Sequence, residues 1–203
     1  MTIHVNIDMH YTFSANGQEY DLRLVRTKDA LAIASAVCSN SEHFRYMVDW
    51  PQPYAKSSAQ EFVRKALKDA RTGSGYHYVI RHNACLSGMC AIYDINERHR
   101  RASLGFWVSP HSCRRGIASA AVQLLLSIAY GRLKLVKICA TTVAGNDHSA
   151  SVLRRNGFVC EGTQRQHVVL NGCRADEVLW AHIRSLEATK LHRELPAASR
   201  QRE

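Results

Sequence analysis

One stretch of the chain combines small, basic and hydroxyl side chains in an order that suits anion binding. It runs from Ser109 to Ser119 and reads SPHSCRRGIAS. The apolar run 104–108 before it predicts a buried strand, and the apolar run 120–130 after it predicts a helix packed on a sheet. The first amides of a helix lack intrahelical partners, and the helix dipole adds partial positive charge there. A strand-to-helix turn of this kind can therefore hold a phosphate or another anion.

Two features inside the turn favour a pyrophosphate ligand. Gly116 and Ala118 keep bulky side chains away from the backbone, and Arg114 and Arg115 add positive charge. The Gly-Lys-Ser/Thr signature of nucleotide hydrolases and the wider glycine spacing of dinucleotide-binding turns are both missing. Taken alone, the stretch also fits an ordinary strand-to-helix turn with one glycine, because short glycine motifs match many unrelated sequences.

Length and composition predict one globular domain. The chain has 203 residues, of which 46% are hydrophobic, enough for one full core with short tails. No run approaches the roughly 20 apolar residues that a bilayer-spanning helix needs. The N-terminus lacks the basic start and apolar centre of a signal peptide. We therefore expect a cytoplasmic protein with no membrane partner.

The net charge and the numbers of cysteine and histidine residues indicate which classes of ligand the protein could bind. A formal charge of +10 favours polyanions in general, such as nucleic acid, the ribosome surface or a phosphate-rich cofactor. The arginines do not alternate with aromatic residues as they do in single-strand binders. Seven cysteines without a Cys-x-x-Cys pair predict buried free thiols in a reducing compartment rather than disulfides or zinc. Eleven scattered histidines predict no metal site.

The order of the predicted elements indicates an α+β sandwich, a mixed sheet with helices on its faces. The first half is predicted to hold strands at 4–13 and 19–26 around an Asn16-Gly17 turn, a helix from Lys28 to about Cys38 behind a Thr27 cap, and a helix from a Ser58 capping box to about Thr72. The second half is predicted to hold a meander of strands at 76–81, 86–94 and 102–108, a helix ending at a Gly131 cap, a strand at 136–143, a helix from Asn146 to Asn156, and a closing hairpin over 158–181. This order predicts an N-terminal extension at 1–19 that supplies a hairpin strand, a domain at 20–184 and a polar tail at 185–203.

Several short motifs stand in a fixed order along this framework. They are Leu104-Gly-Phe-Trp-Val108, Cys113-Arg-Arg-Gly-Ile-Ala118, Asn146-Asp-His-Ser149, Asn156-Gly-Phe158, Glu161-Gly162 and a hairpin turn at Leu170-Asn-Gly172. In this order they resemble the GNAT acyltransferases over about residues 21–184, and within them the RimJ/RimL type that acetylates protein N-termini. Asp49-Trp-Pro51 also falls where that branch carries a Trp-Pro pair.

The resemblance implies a fold and a reaction. The fold would be a single α+β domain of the GNAT type, whose mixed, mostly antiparallel central sheet carries helices on both faces and an acyl-CoA cleft at splayed central strands. Acetyl-CoA would be the donor and a primary amine the acceptor, with no metal. A protein or ribosomal N-terminus is the favoured acceptor, and a homodimer is one assembly to test.

The resemblance also implies roles for individual residues. Asn146 would bind the cofactor near its thiol end, and Ser149 would protonate the leaving thiolate. Trp50 and Ser103 are the candidate contacts to the acceptor. The other candidates for cofactor binding are Phe106, Trp107 and Val108 on the central strand and Cys113, Arg114, Arg115, Gly116, Ile117, Ala118 and Ser119 in the phosphate turn.

Four positions depart from the family pattern. Cys113 replaces the usual Gln or Arg of the phosphate turn, and Leu153 replaces a tyrosine that many GNAT enzymes use as an acid. Ser103 and Val168 stand where relatives can carry a carboxylate. A base is needed because an alkylamine is mostly protonated at neutral pH, and a positioned base contributes about 10²- to 10⁴-fold in rate. The last two departures therefore leave the base unassigned.

Three answers to the missing base stay open. We favour an N-terminal α-amine as acceptor, because its pKa of about 7.7 to 8.0 leaves an appreciable neutral fraction without strong help. A chain of ordered water through Ser103 is the second answer. The third is a substitute base, for which His167, His111 and Glu161 are candidates. Period-two alternation along a strand predicts that His167 and Val168 face opposite sides, so His167 is not a simple replacement.

Two other functions compete with N-terminal acetylation. The acceptor could be a small amine, such as an amino-acid-derived toxin, an antibiotic or a metabolite. From a different class, the protein could be a catalytically weak acyl-CoA-binding module, or a basic partner of the ribosome or RNA. The missing carboxylates motivate that second alternative, which predicts CoA binding without acetyl transfer and an RNA affinity that falls steeply with salt.

Overall fold

Eight strands form one sheet in the computed structural model, which describes residues 10–47, 50–51 and 53–184. The strands are β1 (His10–Ala15), β2 (Gln18–Leu24), β3 (Tyr76–His82), β4 (Cys85–Asn96), β5 (Arg101–Val108), β6 (Lys137–Val143), β7 (Val159–Leu170) and β8 (Cys173–Ile183). The helices are α1 (Ala30–Cys38), α2 (Lys56–Thr72), α3 (Ile117–Gly131) and α4 (Asp147–Arg155). The start of the first predicted strand, Asp49 and the predicted tail lie outside the described residues.

The sheet has the order β1-β2-β3-β4-β5-β6-β8-β7. Each neighbouring pair is antiparallel except β5 and β6, which are parallel. The connection between these two parallel strands is α3, as a parallel pair requires a crossover. The expected mixed, mostly antiparallel sheet is confirmed, and its single parallel pair lies near the centre.

Helices cover both faces of the sheet, and each face has its own core. On one face, α3 buries Ala121, Val122 and Leu125 against the strands, together with Leu153 of α4. On the other face, α1 and α2 bury a second cluster that includes Trp107 of β5. Alternation along β5 divides its side chains between these faces, because successive residues point to opposite sides of a strand.

Most elements lie within one or two residues of their predicted bounds, but the residues predicted to cap three helix ends are wrong. Asp29, rather than Thr27, closes the turn before α1, since its carboxylate accepts the Arg26 N–H at 2.7 Å. The second helix begins at Lys56, two residues before the predicted Ser58 cap, although the Ser58 hydroxyl does accept the Ala55 N–H at 3.2 Å. Gly131 is the last residue of α3, whose cap position is Arg132.

A buried ion pair ties β2 to the start of α1. The Arg23 guanidinium donates to both carboxylate oxygens of Asp29, at 2.8 and 2.7 Å. Burial alone would raise the pKa of Asp29, but the hydrogen bonds from Arg23 and from the Arg26 N–H hold that pKa below its ordinary value. Asp29 therefore stays ionised in the folded chain, and its ion pair with Arg23 stabilises that chain.

The cysteines are less buried than expected. Cys90 is buried, whereas Cys38, Cys85, Cys160 and Cys173 are exposed. The expectation of buried thiols is therefore wrong for these four, because Cys38 ends α1, Cys85 and Cys173 begin strands, and Cys160 lies on the edge strand β7. Within the described residues, no helix has the length and apolarity needed to cross a membrane.

Candidate active site

The central parallel pair opens into a gap. β5 and β6 are paired at Arg101, Ala102 and Ser103. Beyond Ser103 the two strands separate, while β6 continues to pair with β8 as far as Val143. The β6-facing edge of β5 over 104–108 is thus left open within the described part of the chain. An open strand edge offers unpaired N–H and C=O groups to an extended ligand.

The predicted phosphate turn lies at the end of this open edge. Gly116 has a φ of +73° and occupies the N-cap position of α3. This left-handed conformation is one that glycine adopts without steric cost, and a Cβ built at Gly116 would meet nothing within 4 Å. Amides at 116–119 precede the first complete helical turn, so they have no intrahelical acceptor. The turn therefore offers backbone donors beside open space at Gly116.

Side chains around the turn hold its shape. The Ser119 hydroxyl accepts a hydrogen bond from the Asn156 side chain at 2.9 Å, which joins the start of α3 to the end of α4. The Cys113 thiol donates to the Ser109 carbonyl at 3.6 Å, and burial raises the pKa of this thiol. Cys113 therefore supports the base of the turn as a neutral thiol, and Arg114 and Arg115 supply the charge. Asn156 is a contributor that sequence reasoning did not assign to this role.

Asn146 and Ser149 lie together at the start of α4, as predicted. The Asn146 side-chain oxygen accepts the Ser149 N–H at 3.3 Å, so it caps the helix and leaves its amide N–H₂ for another partner. Leu153, one turn further, is buried and brings no hydroxyl. The Tyr46 hydroxyl donates to the Gly145 carbonyl at 3.2 Å and so anchors the loop after α1 over this end of α4.

A cleft of about 350 Å³ runs through the gap between β5 and β6. On the α3 and α4 side it is lined by residues that include Leu104, Phe106, Asn146 and Ser149. On the α1 and α2 side it is lined by residues that include Tyr46, Trp50, Trp107 and Glu177. The cleft thus connects the two faces of the sheet, with one mouth beside the predicted cofactor residues and the other beneath the loop after α1.

Trp50 both packs and lines the cleft. Its ring stacks on Phe44 at a centroid distance of 5.7 Å and meets Trp107 edge to face at 6.2 Å. The ring centroid of Tyr54 lies 5.0 Å from that of Trp50. This aromatic cluster forms one wall of the cleft, and the role of Trp50 in binding the acceptor stays a prediction.

The candidates for the base are scattered. Ser103 lies at the last β5–β6 pair, at the root of the gap and outside the residues that line the cleft. Glu161 forms an ion pair with Lys137 at 2.7 Å, and His111 belongs to the short turn before α3. His167 is exposed, but its Nε2 lies 3.8 Å from the carboxylate of Glu177, which lines the cleft.

The alternation argument for His167 is wrong because β7 is bulged. Gln164 pairs with Glu177 and Val168 pairs with Ala175, so three residues of β7 stand opposite the single residue Asp176. Gln166 takes a φ of +50°, and its N–H donates to the Asp176 carboxylate at 2.8 Å. A bulge interrupts the two-residue period and redirects side chains. It brings His167 back beside Glu177, a residue that sequence reasoning missed.

His77 is the buried histidine of the cleft. Burial lowers its pKa, although the carboxylate of Asp69 lies 3.6 Å from its Nε2. Its ring stacks on Tyr93 and meets Phe62 edge to face. We therefore describe His77 as a neutral wall residue. Across the described residues, no three His, Cys, Asp or Glu side chains come together in a way that could hold a metal ion.

Comparison with known proteins identifies the fold. The family profile described as "Acetyltransferase (GNAT) domain" matches residues 21–159, well over half of the chain. The chain belongs to the GNAT acetyltransferase family. It is an N-acetyltransferase with the single-domain GNAT fold that the sequence predicted.

Relatives of this acetyltransferase cover most of its length. It is 30% identical over 171 residues to the N-acetyltransferase YoaA of Bacillus subtilis, covering 82% of this chain and 94% of the relative. It is 23% identical over 167 residues to the ribosomal-protein-serine acetyltransferase of Escherichia coli, covering 82% and 93%. Mycobacterium smegmatis RimJ, solved with a CoA disulfide, superimposes with a TM-score of 0.78 at 26% identity, over 86% of this chain and 87% of RimJ.

Proposed function

We propose that this acetyltransferase moves the acetyl group of acetyl-CoA to the N-terminal α-amine of a protein. One observation carries the proposal. The gap between β5 and β6 joins the free edge of β5, which leads into the phosphate turn, to an aromatic-walled cleft on the other face of the sheet. Donor and amine can thus approach from opposite faces of the sheet and meet beside Ser149.

The residues of the donor side fit acetyl-CoA. The open space above Gly116 and the amides at the start of α3 suit a pyrophosphate, and Arg114 and Arg115 add charge. The free edge of β5 at Phe106, among others, suits the amide groups of an extended pantetheine arm. When bound, the cosubstrate supplies an activated acetyl thioester.

Side chains at the start of α4 would serve the leaving group. The amide N–H₂ of Asn146 is free to orient a ligand because the oxygen of the same side chain is used as the helix cap. The Ser149 hydroxyl lines the cleft and would donate a proton to the departing sulfur. A weak acid suffices there, since a free thiol has a pKa of about 8.5.

An α-amine suits the acceptor side better than other amines. It is less basic than a lysine side chain, with a pKa of about 7.7 to 8.0 against about 10.4, so less free energy is needed to deprotonate it. A chain with a formal charge of +10 also disfavours a cationic polyamine. The ribosomal-protein-serine acetyltransferase among the relatives supports a protein acceptor. Cytoplasmic location and a homodimer stay predictions.

The test is a turnover assay on two acceptor panels. Purified protein is incubated with acetyl-CoA and either peptides with free N-termini or small metabolite amines, and released thiol is followed. We expect turnover on peptides, with mass spectrometry locating the acetyl group on the α-nitrogen rather than on a lysine. Turnover confined to metabolite amines would assign the small-molecule alternative, and CoA binding without any turnover would refute the enzymatic proposal.

A further inference from the structure

Glu177 occupies the point where the cleft meets the acceptor side. It pairs with Val143, the last residue of β6, and with Gln164 of β7. Two other residues of β8, Val178 and Trp180, pack against the core on the α3 side. By strand alternation Glu177 projects to the opposite face, on which Trp107 lies.

Backbone hydrogen bonds bring this carboxylate level with the start of α4. The Ala144 N–H donates to the Asp176 carbonyl at 2.9 Å, and the Asn146 N–H donates to the Val143 carbonyl at 3.0 Å. The chain therefore turns tightly from the partner of Glu177 into the cap of α4. Glu177 and Ser149 line the same cleft, on opposite sides of the gap.

Glu177 brings negative charge into a cleft that has little. Among the described residues lining the cleft it is the sole carboxylate, and Lys65 and His77 are the basic ones. The Nε2 of His77 faces its own neighbour, Asp69, at 3.6 Å. The Glu177 side chain is 13% exposed, and its ion contact is with the 53% exposed His167. A mostly buried carboxylate that lines a cleft is suited to receive a cation.

We propose that Glu177 binds the acceptor ammonium group and acts as the general base of acetyl transfer. This inference rests on the proposed function. The Glu177 carboxylate takes one proton from the ammonium, and the freed nitrogen lone pair forms the C–N bond to the acetyl carbon as the C–S bond breaks. The Ser149 hydroxyl protonates the departing sulfur and regains a proton from the second N–H of the attacking nitrogen. Glu177 passes its proton to solvent, toward which His167 lies, so each turnover yields an amide, a thiol and one proton.

The pairing of β7 with β8 relates Glu177 to the position where relatives can carry a carboxylate. Val168, where relatives can carry a carboxylate, pairs with Ala175, and Glu177 stands two residues along the same face of β8. Two strand residues span about 7 Å, so Glu177 lies one same-face step from the residue opposite Val168. The base function is thus displaced along the neighbouring strand.

The experiment compares two acceptors that differ in basicity. A peptide with an ordinary N-terminal α-amine arrives largely protonated, whereas the same peptide with an aminooxy group at that end is neutral at neutral pH. Replacing Glu177→Gln should lower kcat/KM for the α-amine peptide by about 10²- to 10⁴-fold. It should lower kcat/KM for the aminooxy peptide by less than about tenfold, because no proton must be removed before attack. Glu177→Asp, which keeps the charge, should restore part of the α-amine rate.

Glu61→Gln is the matched control, because Glu61 is an exposed carboxylate on α2 that does not line the cleft. Its rates should equal those of the wild type on both peptides. Equal losses on both peptides for Glu177→Gln, or no loss on either, would overturn the proposal and leave the carboxylate a structural partner of His167. If Glu177→Gln does not fold, Glu177→Asp must still show a larger loss on the α-amine than on the aminooxy peptide. Wild-type turnover on metabolite amines alone would refute the N-terminal acceptor, and the same contrast would then be measured on those amines; absence of any turnover would overturn both.

Discussion

Gly116 gives a quantitative test of the phosphate turn. Its φ of +73° lies in the left-handed region, which costs an L-residue roughly 1–2 kcal/mol. Because a Cβ at Gly116 would meet nothing within 4 Å, the substitution Gly116→Ala adds this conformational cost without a clash inside the protein. The Gly116→Ala variant can relieve this cost by rotating residue 116 to negative φ. That rotation would turn the amides at the start of α3 away from the one anion that they bind together.

The expected loss of affinity follows from that cost. Binding of CoA must restore the left-handed turn, so the roughly 1–2 kcal/mol appears as about a 5- to 30-fold weaker Kd. The added methyl group would also stand on the surface that a pyrophosphate approaches, which increases the loss. Isothermal titration calorimetry with CoA measures this Kd directly, and no acceptor needs to be known.

Gly17→Ala is the matched control. Gly17 has a φ of +71° in the β1–β2 turn, and its Cβ would also meet nothing within 4 Å. Gly17→Ala should lower the free energy of unfolding with unchanged affinity for CoA, whereas Gly116→Ala should weaken CoA binding. Equal CoA affinity in the two variants would show that Gly116 serves the turn alone, and the assignment of the phosphate site would fail with it.

Three further substitutions test other parts of the structure. Ser149→Ala should lower kcat by about 10²-fold, the low end for a general acid, with unchanged CoA affinity; steady-state rates that match the wild type would place thiolate protonation elsewhere. Asp29→Asn leaves the buried Arg23 without its partner and should cost about 3–5 kcal/mol by urea unfolding at neutral pH. Because the pKa of Asp29 is lowered in the folded chain, its contribution is present above the ordinary carboxyl pKa and is lost as pH falls through the folded value, so the two proteins should converge in acid. Tyr46→Phe removes the hydrogen bond to Gly145 and should raise KM for the acceptor about fivefold, equivalent to about 1 kcal/mol, and an unchanged KM would show that this loop does not shape the acceptor site.

Sequence reasoning predicted the turn, the helix cap and the strand of the proposed donor side because their signals are local. The glycine of the phosphate turn, the Asn146 cap and the apolar run of β5 each act within a few residues of where they stand in the chain. The gap between β5 and β6, which the family resemblance implied, also depends on a short part of the chain. It requires only that the edge of β5 after Ser103 stays unpaired, with α3 connecting the two strands. Such features can be predicted from the sequence because they do not depend on which distant strands pair.

The acceptor side was harder to predict because it depends on register. Glu177 enters the cleft only because β8 lies between β6 and β7 and pairs Glu177 with Val143. The bulge that returns His167 to this position has no strong sequence signal, since Gln166 rather than glycine takes the positive φ. A regular β7 would place His167 away from Glu177, whereas the bulged strand places the two side chains 3.8 Å apart.

The two sides of the cleft are coupled through the geometry of one sheet. The same separation of β5 from β6 that frees a strand edge for the donor also lets the acceptor face reach that edge through the sheet. If β5 and β6 paired along their whole length, the ladder would close this passage, and Ser149 and Glu177 would lie on opposite faces of a continuous sheet. The proposed acetyl transfer therefore depends on the unpaired length from Leu104 onward, which begins where the three β5–β6 pairs end.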